Sequence, residues 1–196
     1  MSQRMKRDTK KNPLDALSAP PIQICLIAFD KDGKKLKSVT VEAHSWLLNF
    51  YHIIKMLIGQ DEVSCWVKNY SGTQVQLRAF STSNCWDDVS DAKTEVGVGD
   101  SNAAFNASHH KLQGSNAYWG DVNGAVDASD KVSFIAEIDC TTALTVKEVG
   151  IRFPKVKDVY GNNQIVMIER SVLSESDQLD VPAGGKVQAT YEMNYP

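Results

Sequence analysis

Apolar residues alternate with polar ones along much of the chain, and this pattern predicts a protein built mainly from β-strands. The clearest segment is Lys131–Cys140, in which Val132, Phe134, Ala136 and Ile138 occupy every second position. A period of two places these four side chains on one face of a strand. Apolar or alternating segments also predict strands at residues 22–30, 35–41, 63–67, 74–79, 144–153, 164–172 and 186–195.

Turn-forming residues separate the predicted strands at short intervals. Clusters of Gly, Asn, Asp and Pro occur at positions 30–33, 69–72, 161–163 and 182–185. Such residues are favoured in tight turns, and closely spaced turns indicate antiparallel neighbours. We therefore expect a mainly β protein, an antiparallel β-sandwich or jelly-roll-like domain with one inserted α-helix. In its second strand, Leu36, Val39 and Val41 are expected to face the core.

The inserted helix is predicted at residues 45–58, with Ser45 as its N-cap. One face of this helix carries an apolar stripe, which Leu47, Leu48 and Tyr51 widen. The apolar segment is too short to span a bilayer. A helix this apolar is expected to be largely covered, by a sheet or by a partner. The residues that form the stripe itself recur every three or four positions: Trp46, Phe50, Ile53, Ile54, Leu57 and Ile58.

Residues 81–130 have a different composition, rich in Gly, Asn, Asp, Ser and Ala and poor in branched apolar residues. This composition predicts long loops with short strands, such as one at residues 95–98. Four aromatic side chains are expected to anchor these loops: Trp86, Phe105, Tyr118 and Trp119.

The first 21 residues are basic and poor in large apolar side chains, and they end in Ala19-Pro20-Pro21. Proline disfavours helix and stiffens the backbone. We interpret residues 1–21 as an extended basic N-terminal arm and residues 22–196 as a single β-rich domain. The arm is either a disordered tail or a segment that crosses onto a neighbouring subunit or an acidic surface, and the sequence leaves both readings open.

Composition narrows the classes of partner. Of 196 residues, 42% are hydrophobic and 23% are charged, which is ordinary for a globular domain with a buried core. The net charge of −3 argues against a nucleic-acid or membrane role for the main domain. No apolar segment follows the basic residues at the start, so no secretory signal is predicted.

The four cysteines, Cys25, Cys65, Cys85 and Cys140, lie far apart and include no C-x-x-C pair. Structural zinc sites need ligands at short spacings, so this pattern does not predict one. Free thiols in a reducing compartment are favoured over disulfides, although the even count permits both.

Histidines give little indication of a catalytic or metal site. His109-His110 falls in a polar segment, while His44 and His52 flank the start of the predicted helix. None has a metal-ligand partner at a typical spacing, so ordinary loop histidines are favoured.

Clustered acids follow Trp86 at Asp87, Asp88 and Asp91, without the ligand order of a calcium loop. Gly97 and Gly99 form a G-x-G that does not open a helical pattern. We therefore expect no cofactor, assign no catalytic, cofactor-binding or metal-binding residue, and predict that the protein is not an enzyme.

Three groups of short segments follow one another over roughly residues 22 to 195. They are 32–33 with 44–50; 95–100 with 111–114; and 144–151 with 170–173, 181–186 and a closing strand that ends at Tyr195. In this shared order they resemble tailed-bacteriophage virion structural proteins of the tail, fibre or head-decoration type.

The resemblance implies a non-enzymatic, oligomeric virion structural protein, made in the host cytoplasm, that assembles with itself and with other capsid or tail proteins. An alternative is a carbohydrate- or receptor-binding β-sandwich module on a virus particle, using tryptophans exposed between residues 81 and 120. A hydrolase that uses Asp87 or His109 is a third and less favoured hypothesis.

Overall fold

The computed structural model describes residues 22–43, 46–58, 64–78, 94–127 and 131–194. Within these ranges it contains twelve β-strands, one α-helix and a short 3-10 helix at Glu175–Asp177. The elements are β1 Ile22–Phe29, β2 Lys35–Ala43, α1 Leu48–Ile58, β3 Ser64–Lys68, β4 Gln74–Arg78, β5 Glu95–Gly99, β6 Ala117–Asp127, β7 Lys131–Cys140, β8 Leu144–Val146, β9 Glu148–Lys157, β10 Asn163–Val172, β11 Leu179–Val181 and β12 Gly185–Asn194.

Eight strands form one antiparallel sheet in the order β10-β9-β5-β6-β7-β12-β1-β2. Two small antiparallel pairs, β3–β4 and β8–β11, accompany it. The structure confirms the predicted fold class, because the large sheet curls into a mainly β, sandwich-like arrangement with one helix.

The large sheet curls far enough for its two ends to meet. Just after β2, Trp46 forms an antiparallel bridge with Glu169 of β10, and Leu47 N donates to Ile168 O at 2.9 Å. The concave face therefore encloses the main core, to which most strands of the sheet contribute. Its fully buried side chains include Ile24, Leu26, Val98, Ile138, Val166, Val187 and Tyr191.

The helix prediction is confirmed over most of its length, but α1 begins at Leu48 because Trp46 is used for the bridge. Asn49 fixes the first turn: its amide nitrogen donates to Lys68 O (2.8 Å) and Met167 O (3.0 Å), and its oxygen accepts from Lys68 N. The predicted N-cap, Ser45, lies outside the described residues. Among the described residues, no helix has both the length and the apolar character needed to cross a bilayer.

The expectation of only short strands in residues 81–130 is wrong for β6, which runs for 11 residues. Tyr118 and Trp119 lie in this strand and not in a loop. Phe105 is 40% exposed and does not anchor its segment as predicted, and Trp86 is outside the described residues. The sequence of β6 is rich in Gly, Asp and Asn, but β5 and β7 pair with it on both sides, and pairing overrides weak strand propensity.

The single strand predicted at residues 144–153 is also corrected. It divides at Lys147 into β8, which pairs with β11, and β9, which lies in the large sheet. The backbone of Lys147 leaves the strand: its N–H donates to Gly99 O and its carbonyl accepts from Leu173 N, both at 2.8 Å. In addition, β11 was not predicted.

In β2, the expectation for Leu36 is wrong, because its side chain is 46% exposed. Val39 and Val41 do pack against the core. Leu36 lies an odd number of positions from both valines, so the period of two directs it to the opposite face.

The structure describes three of the four cysteines, and Cys25 and Cys140 are free thiols, as favoured. Burial, followed by the charge of Asp139, raises the pKa of Cys140 to about 11, so this thiol is unreactive at neutral pH. Cys85 and the arm at residues 1–21 lie outside the described residues.

Two glycines on the outer face of the sheet allow close packing. A Cβ at Gly97 would lie 2.5 Å from Trp119 Cε3, and a Cβ at Gly150 would lie 2.2 Å from Met167 Cε and 2.6 Å from Glu169 O. At Gly150 the obstacle includes the backbone oxygen of Glu169, which cannot move aside as a side chain can.

We expect Gly150→Val to lower the free energy of unfolding by about 1–3 kcal/mol or more, because the added side chain does not fit this space. Chemical denaturation measures this loss, with Ser38→Val on the exposed edge strand β2 as the control. Equal denaturation midpoints for the two variants would contradict the prediction.

Candidate functional site

Strand β10 presents two consecutive charged residues, Glu169 and Arg170, and both are fully buried. The pairing of β10 with β9 shifts register between Met167 and Glu169, as in a β-bulge. A bulge adds one residue to a strand and changes which side chains face each side. Here it turns Glu169 toward the core, where it meets Tyr191, while Arg170 turns to the outer face.

On the outer face, Arg170 forms a buried ion pair with Glu148 of β9. Its Nε lies 2.6 Å from Glu148 Oε2, and neither side chain is exposed to solvent. The other guanidinium nitrogens donate to Ala103 O at 2.9 Å and to His109 Nδ1 at 3.2 Å. Since arginine only donates, Nδ1 must be the unprotonated nitrogen of His109.

Glu148 in turn accepts backbone hydrogen bonds from the same covering segment, residues 100–116. Its Oε1 lies 2.9 Å from Gln113 N and 2.7 Å from Gly114 N. We call the Arg170–Glu148 pair with these four contacts the Arg170 clamp. A buried ion pair is favourable only when further hydrogen bonds satisfy its atoms, and the clamp provides them. It fixes a long irregular segment onto the sheet.

The histidine pair singled out from the sequence, His109 and His110, lies in this segment. Burial lowers the pKa of His109, and the Arg170 charge lowers it further. Burial also lowers the pKa of His110, with Lys68 and Lys111 contributing. Both imidazoles are therefore neutral at pH 7, and His109 serves as an acceptor for the clamp.

On the inner face, Glu169 lies where the two ends of the sheet meet. It accepts hydrogen bonds from Ser171 Oγ and, at 2.8 Å, from Tyr191 OH. Burial raises the pKa of Glu169 to about 8, although both hydrogen bonds and the charge of Arg170 oppose the rise. Burial, followed by the charge of Glu169, also raises the pKa of Tyr191. At neutral pH, Glu169 is therefore mostly a neutral acid within the core.

An apolar cavity of about 230 Å³ lies beside Tyr191. Trp46 and Phe50 stack over it with ring centroids 3.9 Å apart. The indole nitrogen of Trp46 is buried and has no hydrogen-bond partner among the described residues. Carbon atoms form almost the whole wall of the cavity, and Thr94 is among its few polar side chains. Its other walls include Val96, Val122, Phe134, Ile151, Phe153 and Ile168.

Trp119, one of the tryptophans of the predicted glycan-binding region, is covered. The Arg152 guanidinium lies 3.8 Å above its ring, and Tyr70 packs edge-on at 5.9 Å. Glu95 pairs with Arg152 and holds it in place. A cation over an indole face is a favourable contact, and here it occupies the surface that a sugar would need.

Three of the large apolar side chains that are exposed among the described residues lie on α1 and β3. Leu48 and Tyr51, one helical turn apart, are 45% and 43% exposed, and Trp66 is 55% exposed. His52 joins the two elements through its Nδ1, 2.6 Å from Trp66 O. We call Leu48, Tyr51, His52 and Trp66 the α1–β3 surface. The helix was expected to be largely covered by a sheet or by a partner; within the chain, Leu47 just before α1 is buried, whereas Leu48 and Tyr51 are exposed.

The remaining residues singled out from the sequence are not brought together. His52 lies on α1 and contacts Trp66 O, and His44 is outside the described residues. The acidic cluster at Asp87, Asp88 and Asp91 is also outside them. Within the described ranges, no three His, Cys, Asp or Glu side chains are close enough to hold a metal ion.

Sequence reasoning missed Glu148, Glu169 and Arg170. A usable signal was present, because Glu169-Arg170 interrupts an apolar strand pattern and charged residues are almost never fully buried unless paired. What the sequence could not supply was the partner, since Glu148 lies more than 20 positions away.

Comparison with protein-family models, curated proteins and solved structures finds no match to this chain.

Removing the cation of the clamp tests its importance. Arg170→Met leaves the Glu148 carboxylate buried without its ion pair, so we expect a loss of about 3–5 kcal/mol in the free energy of unfolding. Amide exchange in residues 100–116 should also accelerate. Arg152→Met, the same change in a partly exposed pair, should cost less. Equal losses in the two variants would show that burial of the clamp has no special role.

The raised pKa of Glu169 predicts a dependence of stability on pH. Between pH 4.5 and about 8 the folded protein keeps a proton that the unfolded chain releases. The free energy of unfolding should therefore fall as pH rises through this window, by up to ~1.4 kcal/mol per pH unit, and level off above it. Glu169→Gln keeps the shape without the ionisation, so its stability relative to wild type should rise with pH. If the difference in free energy of unfolding between Glu169→Gln and wild type is the same at pH 5 and at pH 8, this prediction is contradicted.

Proposed function

We propose that this chain is a non-enzymatic structural subunit of a virus particle, which assembles with copies of itself and with other particle proteins. The observation that carries the proposal is the α1–β3 surface. Tyrosine and tryptophan are enriched where proteins contact each other, and a leucine, a tyrosine and a tryptophan exposed together favour an interface.

The α1–β3 surface is also rigidly held, which favours docking without rearrangement. Asn49 ties the helix to both β3 and β10, and Leu48 N donates to Ala107 O at 2.8 Å. Exposed aromatic side chains on a preorganised support lose little conformational entropy on binding.

The segments that resemble phage structural proteins support a structural role as well. Residues 111–114, 144–151 and 170–173 supply Gln113, Gly114, Glu148 and Arg170 to the clamp. Three segments of the resemblance therefore contain residues of the Arg170 clamp, which fixes residues 100–116 onto the sheet. Residues that hold a chain segment in place are expected in a scaffold, and the two charged groups of the clamp pair with each other.

Binding of a carbohydrate or receptor is the second candidate function, and Trp66 is the observation that favours it. Its exposed indole could stack on a sugar face. Trp119 no longer supports this reading because Arg152 covers it. A glycan array with wild type and Trp66→Ser tests it: a signal lost in the variant would favour this function, and an array without signal would remove it.

Substitutions on the α1–β3 surface test the assembly proposal. Tyr51→Ser and Trp66→Ser should each raise the dissociation constant of the oligomer roughly tenfold, because central aromatic contacts dominate interfaces. Sedimentation velocity measures this. Tyr160→Ser is the control, since Tyr160 is 87% exposed in the turn between β9 and β10.

An unchanged dissociation constant in both variants would contradict a role for this surface. Quantitative mass spectrometry of purified particles tests the virion assignment directly. Many copies per particle are expected, and absence from purified particles would refute it.

A further inference from the structure

A slot separates the two ends of the large sheet beyond the point where they meet. On one side lie Thr40, Val41 and Glu42 of β2, and on the other lie residues 171–174, with Asp177 beside them. We call this space, of about 420 Å³, the β2–β10 slot. It is bounded at one end by the Trp46–Glu169 bridge. At the other end, Lys37 Nζ donates to Ser176 O (2.9 Å) and Gln178 O (2.6 Å).

The slot exposes backbone that is able to pair with another chain. Strand β2 pairs with β1 along one edge, and no described strand pairs with its other edge. Unpaired strand edges bind extended peptides by adding a strand. The opposite edge of β10 differs, because Tyr70 N, Asn49 Nδ2 and Leu47 N bond to its carbonyls at residues 165, 167 and 168. Three residues of β2 span about 10 Å, enough for a short extended segment.

Apart from Lys37 at one end, the charged side chains of the slot are acidic. Glu42 and Asp177 line it, and neither forms a salt bridge within the described residues. Asp177 accepts one hydrogen bond, from Ser174 Oγ at 2.5 Å. Glu175, on the same 3-10 helix, adds a third exposed acid nearby. A basic segment would therefore fit this slot better than an acidic or apolar one.

The chain itself contains such a segment. Residues 1–21 carry five basic and two acidic side chains, a net charge of +3, so the remaining 175 residues carry −6 of the total of −3. The basic residues are Arg4, Lys6, Arg7, Lys10 and Lys11. Opposite net charges attract the segment toward the main domain of any copy.

We infer that the β2–β10 slot binds the basic segment, residues 4–11, of a second copy of this chain. The inference rests on the proposed function and names the contact by which copies join. The chain enters β1 at Ile22, which pairs with Ala43 at the end of β2. The ten residues between Lys11 and Ile22 span up to about 35 Å when extended, and Pro20 and Pro21 favour an extended exit. A segment of that length is long enough to extend beyond its own subunit.

The test uses the full chain over a concentration series and measures, in the same samples, the mass by light scattering and the amide exchange of residues 35–43. As the oligomer forms, exchange in these residues should slow. One variant replaces the five basic residues with Gln, and another carries Glu42→Gln with Asp177→Asn. Each should raise the dissociation constant roughly tenfold, and their combination should add little, because both remove the same contact.

Glu137→Gln with Asp139→Asn is the matched control, since these acids of β7 are 59% and 75% exposed and lie away from the slot. An oligomer in which residues 35–43 exchange equally at all concentrations would overturn this inference and leave the proposed assembly intact. Slow exchange that does not depend on concentration would also overturn it, because the slot would then be filled within one chain. A monomer at every concentration would overturn both.

Discussion

The buried Arg170–Glu148 ion pair is the interaction on which the outer half of this fold depends. Residues 100–116 contain no strand or helix, so regular pairing within the segment does not satisfy their backbone groups. The pair supplies an acceptor to Gln113 N and Gly114 N and a donor to Ala103 O. Without the segment, both charges would lose hydrogen bonds and their shield from water. The segment and the ion pair therefore stabilise each other.

Strand β10 also takes part in closing the sheet, through its inner face. One register shift in β10 turns Glu169 inward, next to the bridge that joins the two ends of the sheet. The sheet closes there through one bridge and a few side-chain hydrogen bonds, and it stays open along the slot. Closure at one point leaves one edge of β2 without a pairing strand among the described residues. An isolated monomer would keep that edge exposed, whereas an assembling subunit can use it.

Much of the fold could be predicted from local pattern. The alternation in Lys131–Cys140 gave β7, the helical period after Trp46 gave α1, and positive φ angles of 84° and 76° at Gly161 and Gly184 agree with the predicted turns. In β6, pairing on both sides outweighs a sequence that reads as loop, so only the tertiary structure reveals it. The exposure of Leu36 follows from the period of two and could have been predicted.

The candidate surfaces were harder to predict, because they depend on residues far apart in sequence. Tyr51 belongs to the apolar stripe predicted for the helix and Trp66 to a predicted strand, and only the structure shows that both side chains are exposed. Glu42 and Asp177 gave no signal individually, since exposed acids are common. They can be recognised as parts of one site only in the structure, because the curled sheet brings β2 and the end of β10 to the two sides of one slot.

The mass of the wild-type full-length chain in solution, measured by light scattering across a range of concentrations, tests the central claim most directly. Assembly through the α1–β3 surface and the β2–β10 slot predicts a discrete species whose mass is a multiple of 21.6 kDa and which dissociates on dilution or in high salt. A chain that stays at 21.6 kDa throughout the range would contradict self-assembly.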